Sequence, residues 1–136
     1  MDLTKITVII VTYKSELVLD NCLRSIPSQV EIIIIDNSDN NEMKLKIEKK
    51  YSNVRYILSG ENIGYSKANN IGLAQTKTGF ALVLNPDTVL KKNALENFSK
   101  LAKKYNNFWL MGPLKQQSKI LENNKMEIVE VNDLKG

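Results

Sequence analysis

Apolar residues fall along this chain in two alternating rhythms. Ile6–Val11 is an unbroken run rich in β-branched residues, the pattern of a strand buried on both faces. Thr12-Tyr13-Lys14 ends it, and Ser15 is placed to cap a helix whose stripe is Leu19, Cys22, Leu23 and Ile26, stopped at Pro27. Ile32–Ile35 predicts a second buried strand, halted by Asp36-Asn37-Ser38-Asp39. Met43, Ile47 and Tyr51, four apart, predict a second helix from Asn41 to about Tyr51, and Val54–Leu58 a third, weaker strand. After the loop composition Ser59-Gly60-Glu61-Asn62, Tyr65–Thr76 reads as a third helix with Ala68, Ile71 and Gln75 on one face. Thr78-Gly79 is a turn and Phe80–Leu84 a fourth buried strand. Leu95, Phe98, Ala102 and Tyr105 mark a fourth helix, and Phe108–Met111 a fifth strand before Gly112-Pro113.

Strands that alternate with helices from Ile6 to Met111 predict an α/β layer with a mainly parallel sheet and right-handed crossovers. The length of 136 residues suits one domain of ordinary size. We assign residues 1–113 to it and 114–136 to a polar extension, where Ile120-Leu121 and Ile128–Val131 could form a small hairpin.

Composition narrows the chemistry. The sequence has no histidine and one cysteine, Cys22, which excludes a serine–histidine triad, a histidine base, an internal disulfide and histidine or all-cysteine metal sites. Carboxylates, amides, hydroxyls, lysines or an oxygen-held metal remain. No apolar run approaches the roughly 18 residues of a membrane helix. The N-terminus lacks the pattern of a signal peptide, so a cytoplasmic location is expected, with the inner face of the membrane as a further option. The net charge of +4 comes from scattered lysines, among them Lys44, Lys46, Lys49, Lys50, Lys91, Lys92, Lys103 and Lys104. They read first as a solvated surface; a phosphate-bearing partner or an anionic membrane surface is the alternative. Aromatics are few and none is interleaved with a basic run, so no nucleic-acid partner is expected.

In open α/β sheets ligands sit beyond the carboxyl ends of the strands. The polar clusters of this chain fall there: Thr12-Tyr13, Asp36-Asn37-Ser38-Asp39, Asn62-Ile63-Gly64-Tyr65 and Asn85-Pro86-Asp87 after strands one to four. Each also has a plain structural reading. Asp36 or Asp39 would cap the second helix, Asn62 and Gly64 would make a turn, and Asn85–Thr88 would start a helix. Neither G-x-x-x-x-G-K-[ST] nor G-x-G-x-x-G is present. A phosphorylated ligand would then need its charge met otherwise, and a carboxylate on a divalent metal that bridges phosphate oxygens does so.

The segments "ITVIIVTYKS", "EIIIIDNSDN", "ENIGYSKANNIGLAQTKTGFALVLNPDTVL" and "MGPL" resemble family 2 glycosyltransferases of the GT-A fold, from about Ile6 to Pro113. The third is the most specific: Asn62, Gly64, Asn70 and Gly72 match N-x-G-x-x-x-x-x-N-x-G ahead of a strand and an aspartate motif. The N-P-D form of that motif is similar to rhamnosyltransferase-like members. The resemblance implies a GT-A, Rossmann-like three-layer sandwich with a mainly parallel sheet. It also implies a UDP- or dTDP-linked sugar donor and a glycan or lipid-linked acceptor.

Carried over by position, the resemblance has Val11, Thr12 and Tyr13 lining the nucleoside pocket. Asp36 would accept from the pyrimidine N3–H, as an ionised carboxylate can. Asn62 and Gly64 would let backbone approach the nucleotide, with Lys67 near the diphosphate. Asn69 or Asn70 would support the helix start or a donor hydroxyl. Asp87 would hold Mg2+ or Mn2+, aimed by the stiff Pro86, and Asn85, in the first place of the usual D-x-D, would meet ribose or a sugar hydroxyl. Members generally place the acceptor-side carboxylate, the general base of inverting transfer, in a later part of the chain. Here the late carboxylates are Glu122, Glu127, Glu130 and Asp133, in a polar tail, and no base is assigned. The chain would then be the donor-binding half of a longer enzyme, a truncated product, or a subunit whose acceptor site comes from a partner chain; the second reading is a nucleotide-sugar-binding module without turnover, or a regulatory subunit. A generic nucleotidyltransferase is disfavoured, because no basic glycine-rich loop follows strand one.

Overall fold

The structure, a computed structural model, describes residues 2–105 and 107. A short 3-10 turn at Leu3–Lys5 leads into four strands: β1 (Ile6–Thr12), β2 (Glu31–Asp36), β3 (Val54–Leu58) and β4 (Phe80–Leu84). The helices are α1 (Leu19–Arg24), α2 (Asn41–Lys50), α3 (Tyr65–Gln75) and α4 (Ala94–Lys104). The sheet order is β3-β2-β1-β4 with every pair parallel, so all four carboxyl ends lie along one edge. The expected fifth strand at 108–111 and the hairpin in 114–136 lie outside the described residues.

The β-branched runs lie where they bury most. Val8, Ile9, Ile10 and Ile32 to Ile35 are wholly enclosed in the two central strands. Each contributes about 2 kcal/mol of apolar burial. Strand alternation sorts the side chains into two layers. Val8, Ile10, Ile32, Ile34, Val54, Tyr56 and Leu84 meet Leu19, Cys22, Leu23, Met43, Ile47 and Leu95 on the face that α1, α2 and α4 cover. Val11, Ile33 and Ile35 meet Ala68, with Ile63 and Ile71 beside them, on the face under α3. A Cβ on Gly72 would stand 2.5 Å from Ile9 Cγ2, so α3 lies directly on β1 because this position has no side chain.

Four local expectations are corrected. Ser15 caps no helix: its hydroxyl folds back on the backbone of Tyr13, a backbone turn follows, and α1 begins only at Leu19. Neither Asp36 nor Asp39 caps α2; Asn40 does, its side chain accepting from the Met43 N–H at 2.9 Å. Gln75 is exposed, and the buried face of α3 is Ala68, Asn69 and Gly72. Finally, β4 is not buried on both sides. Leu84 enters the α1–α2 core, but Ala81 and Val83 point outward beyond the reach of α3, which covers β1 and β2.

Candidate functional site

The parallel sheet places all four strand-end clusters on one edge, and hydrogen bonds join them. Thr12 stands in register with Asp36, and the Asn37 N–H donates to the Thr12 carbonyl at 2.8 Å. Asn37 Nδ2 donates to the Gly64 carbonyl at 3.2 Å, tying the end of β2 to the start of α3. The Tyr65 hydroxyl donates to Asn85 Oδ1 at 3.2 Å, tying α3 to the turn after β4. The Cys22 thiol of α1 faces the Asn85 carbonyl at 3.7 Å. Burial, and then the neighbouring Asp87 charge, push that thiol up to about 11.

The two acids singled out in the sequence have opposite surroundings. Asp36 is wholly buried. Its Oδ1 accepts from the Thr12 hydroxyl (3.2 Å), the Ser38 N–H (2.9 Å) and the Ser38 hydroxyl (2.5 Å). Its Oδ2 accepts from the Asn40 N–H (2.9 Å) and the Tyr56 hydroxyl (3.0 Å). Two carboxylate oxygens offer about four lone-pair sites, so this group is saturated. The space beside it, walled by Thr12, Glu16, Leu19, Ser38, Met43 and Tyr56, has no room for a water molecule. Burial raises the carboxyl's pKa, but the bonds from Ser38, Asn40 and Tyr56 outweigh it and hold the group below the usual carboxylate range. The Tyr56 phenol is pushed up by burial and by the Asp36 charge. This carboxylate therefore knots β1, β2, β3 and the entry to α2 together, and it is closed to any ligand as it stands.

Asp87 is exposed, and among the described residues no hydrogen bond or ion pair engages its carboxylate. It lies in the turn that the Thr88 N–H to Asn85 carbonyl bond closes at 3.1 Å. Its strand β4 is separated from β2 by β1 alone, two inter-strand spacings or about 10 Å. Both acids thus belong to the same edge, one built in and one free.

The remaining candidates divide in the same way. Val11 is buried under α3, and Thr12 is buried with its hydroxyl on Asp36. Tyr13 is half exposed and faces the open edge. Asn62 is exposed, and its Oδ1 accepts from the Gly64 N–H at 3.1 Å, so it shapes its own turn. Gly64 is the N-cap of α3 at φ 82°, with no side-chain cap. Among the described residues nothing caps the first N–H groups of α3, and Lys67 is exposed on that same turn. Asn69 is buried, its Nδ2 on the Tyr65 carbonyl at 3.1 Å and its Oδ1 without a partner among the described residues.

Two residues escaped the sequence reading. Asn37 is buried, and because Nδ2 is committed to Gly64, the orientation of its amide is fixed; its Oδ1 is a buried acceptor without a partner among the described residues. Alternation gave the signal: Ile33 and Ile35 face α3, so position 37 does as well, opposite to Asp36. Tyr65 reads from sequence as the start of a helix at the end of a strand-end cluster, with no role of its own, and its bond to Asn85 spans 20 residues.

The donor set at this edge is all oxygen. Among the described residues no group of three or more cysteine, aspartate or glutamate side chains converges to hold a metal unaided. A free carboxylate beside an exposed amide oxygen does fit a hard cation that takes its other ligands from phosphate and water, as Mg2+ often does.

Known proteins share this fold. The described fold superposes on Staphylococcus aureus TarS 1–349 with a TM-score of 0.65 at 24% identity, covering 74% of this chain and 33% of that one. The same protein solved in complex with UDP gives a TM-score of 0.64 at 24% identity, over 74% and 32%. At the sequence level the chain is 36% identical over 94 residues to the low-salt glycan biosynthesis hexosyltransferase Agl10 of Haloferax volcanii, covering 66% of this chain and 30% of that protein. It is 33% identical over 113 residues to the teichoic acid poly(glycerol phosphate) polymerase of Staphylococcus epidermidis, covering 77% and 15%. The chain thus spans less than a third of the length of these curated relatives. The profile of glycosyl transferase family 2 matches residues 7–133, and on that match and the GT-A α/β layer beneath it this chain belongs to glycosyl transferase family 2.

Proposed function

We propose that this domain binds the nucleotide-diphosphate-sugar donor of an inverting glycosyl transfer to a glycan or lipid-linked acceptor, with a UDP- or dTDP-linked sugar as donor. The observation that supports it is the shared edge. One free carboxylate, one buried free amide acceptor and the open first turn of α3 lie on strand ends that hydrogen bonds hold together.

Each part has a fitting role. The base acceptor expected of Asp36 is proposed instead for its neighbour Asn37, whose Oδ1, buried and unpartnered among the described residues, would accept from the N3–H of uracil or thymine once the loop opens to the donor. Asp36 acts through it, by fixing the loop on which Asn37 sits. Tyr13 gives the base a half-exposed aromatic face. The open N–H groups of Tyr65, Ser66 and Lys67, with the Lys67 ammonium, meet the diphosphate as a helix N-terminus meets an anion. Asn85, steadied by Tyr65, faces ribose or sugar hydroxyls. Asp87 would hold Mg2+ or Mn2+, and the cation, when bound, neutralises the charge that develops on the departing diphosphate. Deprotonation of the acceptor hydroxyl is assigned to no residue of this chain. The proposed location is the cytoplasmic side of the membrane, where activated sugars meet lipid-linked acceptors.

The test is titration calorimetry with UDP- and dTDP-sugars, with and without Mn2+, alongside an assay for released nucleotide. Metal-dependent binding supports the donor site. Release together with transfer shows a complete enzyme, and binding alone shows a donor module. No heat from any activated sugar would end the reading.

A further inference from the structure

The chain's positive charge is not spread evenly. Between Lys91 and Lys104 stand five lysines (Lys91, Lys92, Lys100, Lys103, Lys104) against the single acid Glu96, a surplus of four that equals the net charge of the whole chain. All five are exposed. Of the eight other lysines among the described residues, Lys44 meets Glu48 at 2.9 Å and Lys50 meets Asp20 at 2.5 Å. Among the described residues none of these five meets a carboxylate, and Lys104 instead lies over the Tyr105 ring at 5.3 Å.

The helix sorts its residues sharply. Leu95, Ser99 and Ala102 are buried. At 3.6 residues per turn Lys103, Lys100 and Lys104 span about 100° of arc from the flank of that stripe to its far side, and Glu96 falls within the same arc. Two exposed apolar side chains bracket the lysines, Val89 at 61% and Tyr105 at 37% exposure.

We propose that this face of α4 docks the protein on a bilayer that contains anionic lipid. Lysines on a helix face, with apolar side chains at its ends, suit a surface where ammonium groups meet head-group phosphates while valine and tyrosine enter the interface. A nucleic acid fits less well, since the segment has no arginine for bidentate contacts. The helix begins seven residues after Asp87 and packs on the 3-10 turn that precedes β1. The inference goes beyond the donor reading and holds whether or not the domain turns a donor over.

The test is co-sedimentation of the full 136-residue chain with sucrose-loaded phosphatidylcholine vesicles, with or without about one-third phosphatidylglycerol. Pelleting is expected only with the anionic lipid, and it should be lost as salt rises from about 0.05 to 0.5 M. K100E/K103E/K104E should cut partitioning more than about tenfold, and the glutamine triple somewhat less, both with unchanged melting temperature. K46E/K49E/K77E, an equal charge change elsewhere, should bind more than about fivefold better than the α4 triple. Equal losses in the two triples, no binding to anionic vesicles, or tighter binding to a short DNA duplex than to the vesicles would each overturn the proposal.

Discussion

The hydroxyl of Tyr65 donates to the side-chain oxygen of Asn85 at 3.2 Å, so the first turn of α3 and the turn after β4 hold one another in place. Both residues are exposed, and the bond matters for geometry more than for stability. An exposed neutral hydrogen bond contributes about 1 kcal/mol or less. Tyr65→Phe should therefore leave the urea midpoint nearly unchanged and weaken donor binding several-fold, as Asn85 loses its orientation. Calorimetry on a protein of proven native stability checks it, and unchanged affinity would show that Asn85 needs no such support.

Asn37 should set the base preference. Its amide oxygen accepts from an N3–H, which uracil and thymine present and cytosine lacks. Uridine diphosphate should bind more tightly than cytidine diphosphate. Asn37→Ala should cost uridine diphosphate about tenfold, one net hydrogen bond, and cytidine diphosphate little. A preference that survives the substitution would place base recognition elsewhere.

Asp36 carries a pH signature. Its folded-state pKa lies below the ordinary value of about 3.9, because the bonds from Ser38, Asn40 and Tyr56 outweigh burial. A depressed carboxyl contributes stability above its unfolded pKa and loses it as pH falls through its folded one. Urea midpoints should thus hold steady above about pH 5 and decline below about pH 4, as the unfolded chain takes up protons that the folded one refuses. Asp36→Ala strands buried donors and should cost about 3 kcal/mol at neutral pH while flattening that acid slope. An unaltered slope would assign the acid sensitivity to the surface acids Asp20 and Glu48, which hydrogen bonds also depress.

Some of this was legible in the sequence, and the division has a physical cause. The runs of β-branched residues at Ile6–Val11 and Ile32–Ile35 determine buried parallel strands almost alone, and their order determines which edge collects the polar clusters. Period-two alternation also puts Asp36 and Asn37 on opposite faces. It cannot show that Tyr56, one strand over, fills the last lone pair of Asp36, which turns a candidate ligand into a structural knot. The face of α3 was misread at Gln75 because periodicity rewards long side chains, whereas the contact with Ile9 required none, at Gly72. Ser15 looked like a cap from its neighbours, but a closer partner, the backbone of Tyr13, claimed its hydroxyl.

The contact between Gly72 and Ile9 makes its own prediction. A methyl at position 72 would stand 2.5 Å from Ile9 Cγ2, well inside contact distance, and neither α3 nor β1 can yield freely in a packed interior. Gly72→Ala gains helix propensity but should still destabilise by about 1–3 kcal/mol through overpacking. Ile9→Ala removes the obstructing atoms and leaves a cavity of its own. In that background the added methyl should cost less than it does alone, which gives a favourable coupling in a double-mutant cycle measured by urea unfolding. Simple additivity would mean that the helix accommodates the methyl by shifting.

Asp87 separates the donor reading from a purely structural one. Its carboxylate is exposed and among the described residues engages nothing, so its removal should cost the fold no measurable stability. In the proposed site it supplies the one charged oxygen ligand of the chain to the cation, the rest coming from phosphate and water. Asp87→Ala should then abolish the part of donor binding that depends on Mn2+ and leave the weaker, metal-free part that α3 and Asn37 provide. Asp87→Asn keeps an oxygen but loses its charge, and should fall between the two. Parallel titrations with and without Mn2+, on variants whose thermal melts coincide with that of the parent, make the comparison. If the alanine variant retained the full gain from metal, the cation would have to lie elsewhere along the edge, and the turn at Asn85-Pro86-Asp87 would be no more than the start of the connection to α4.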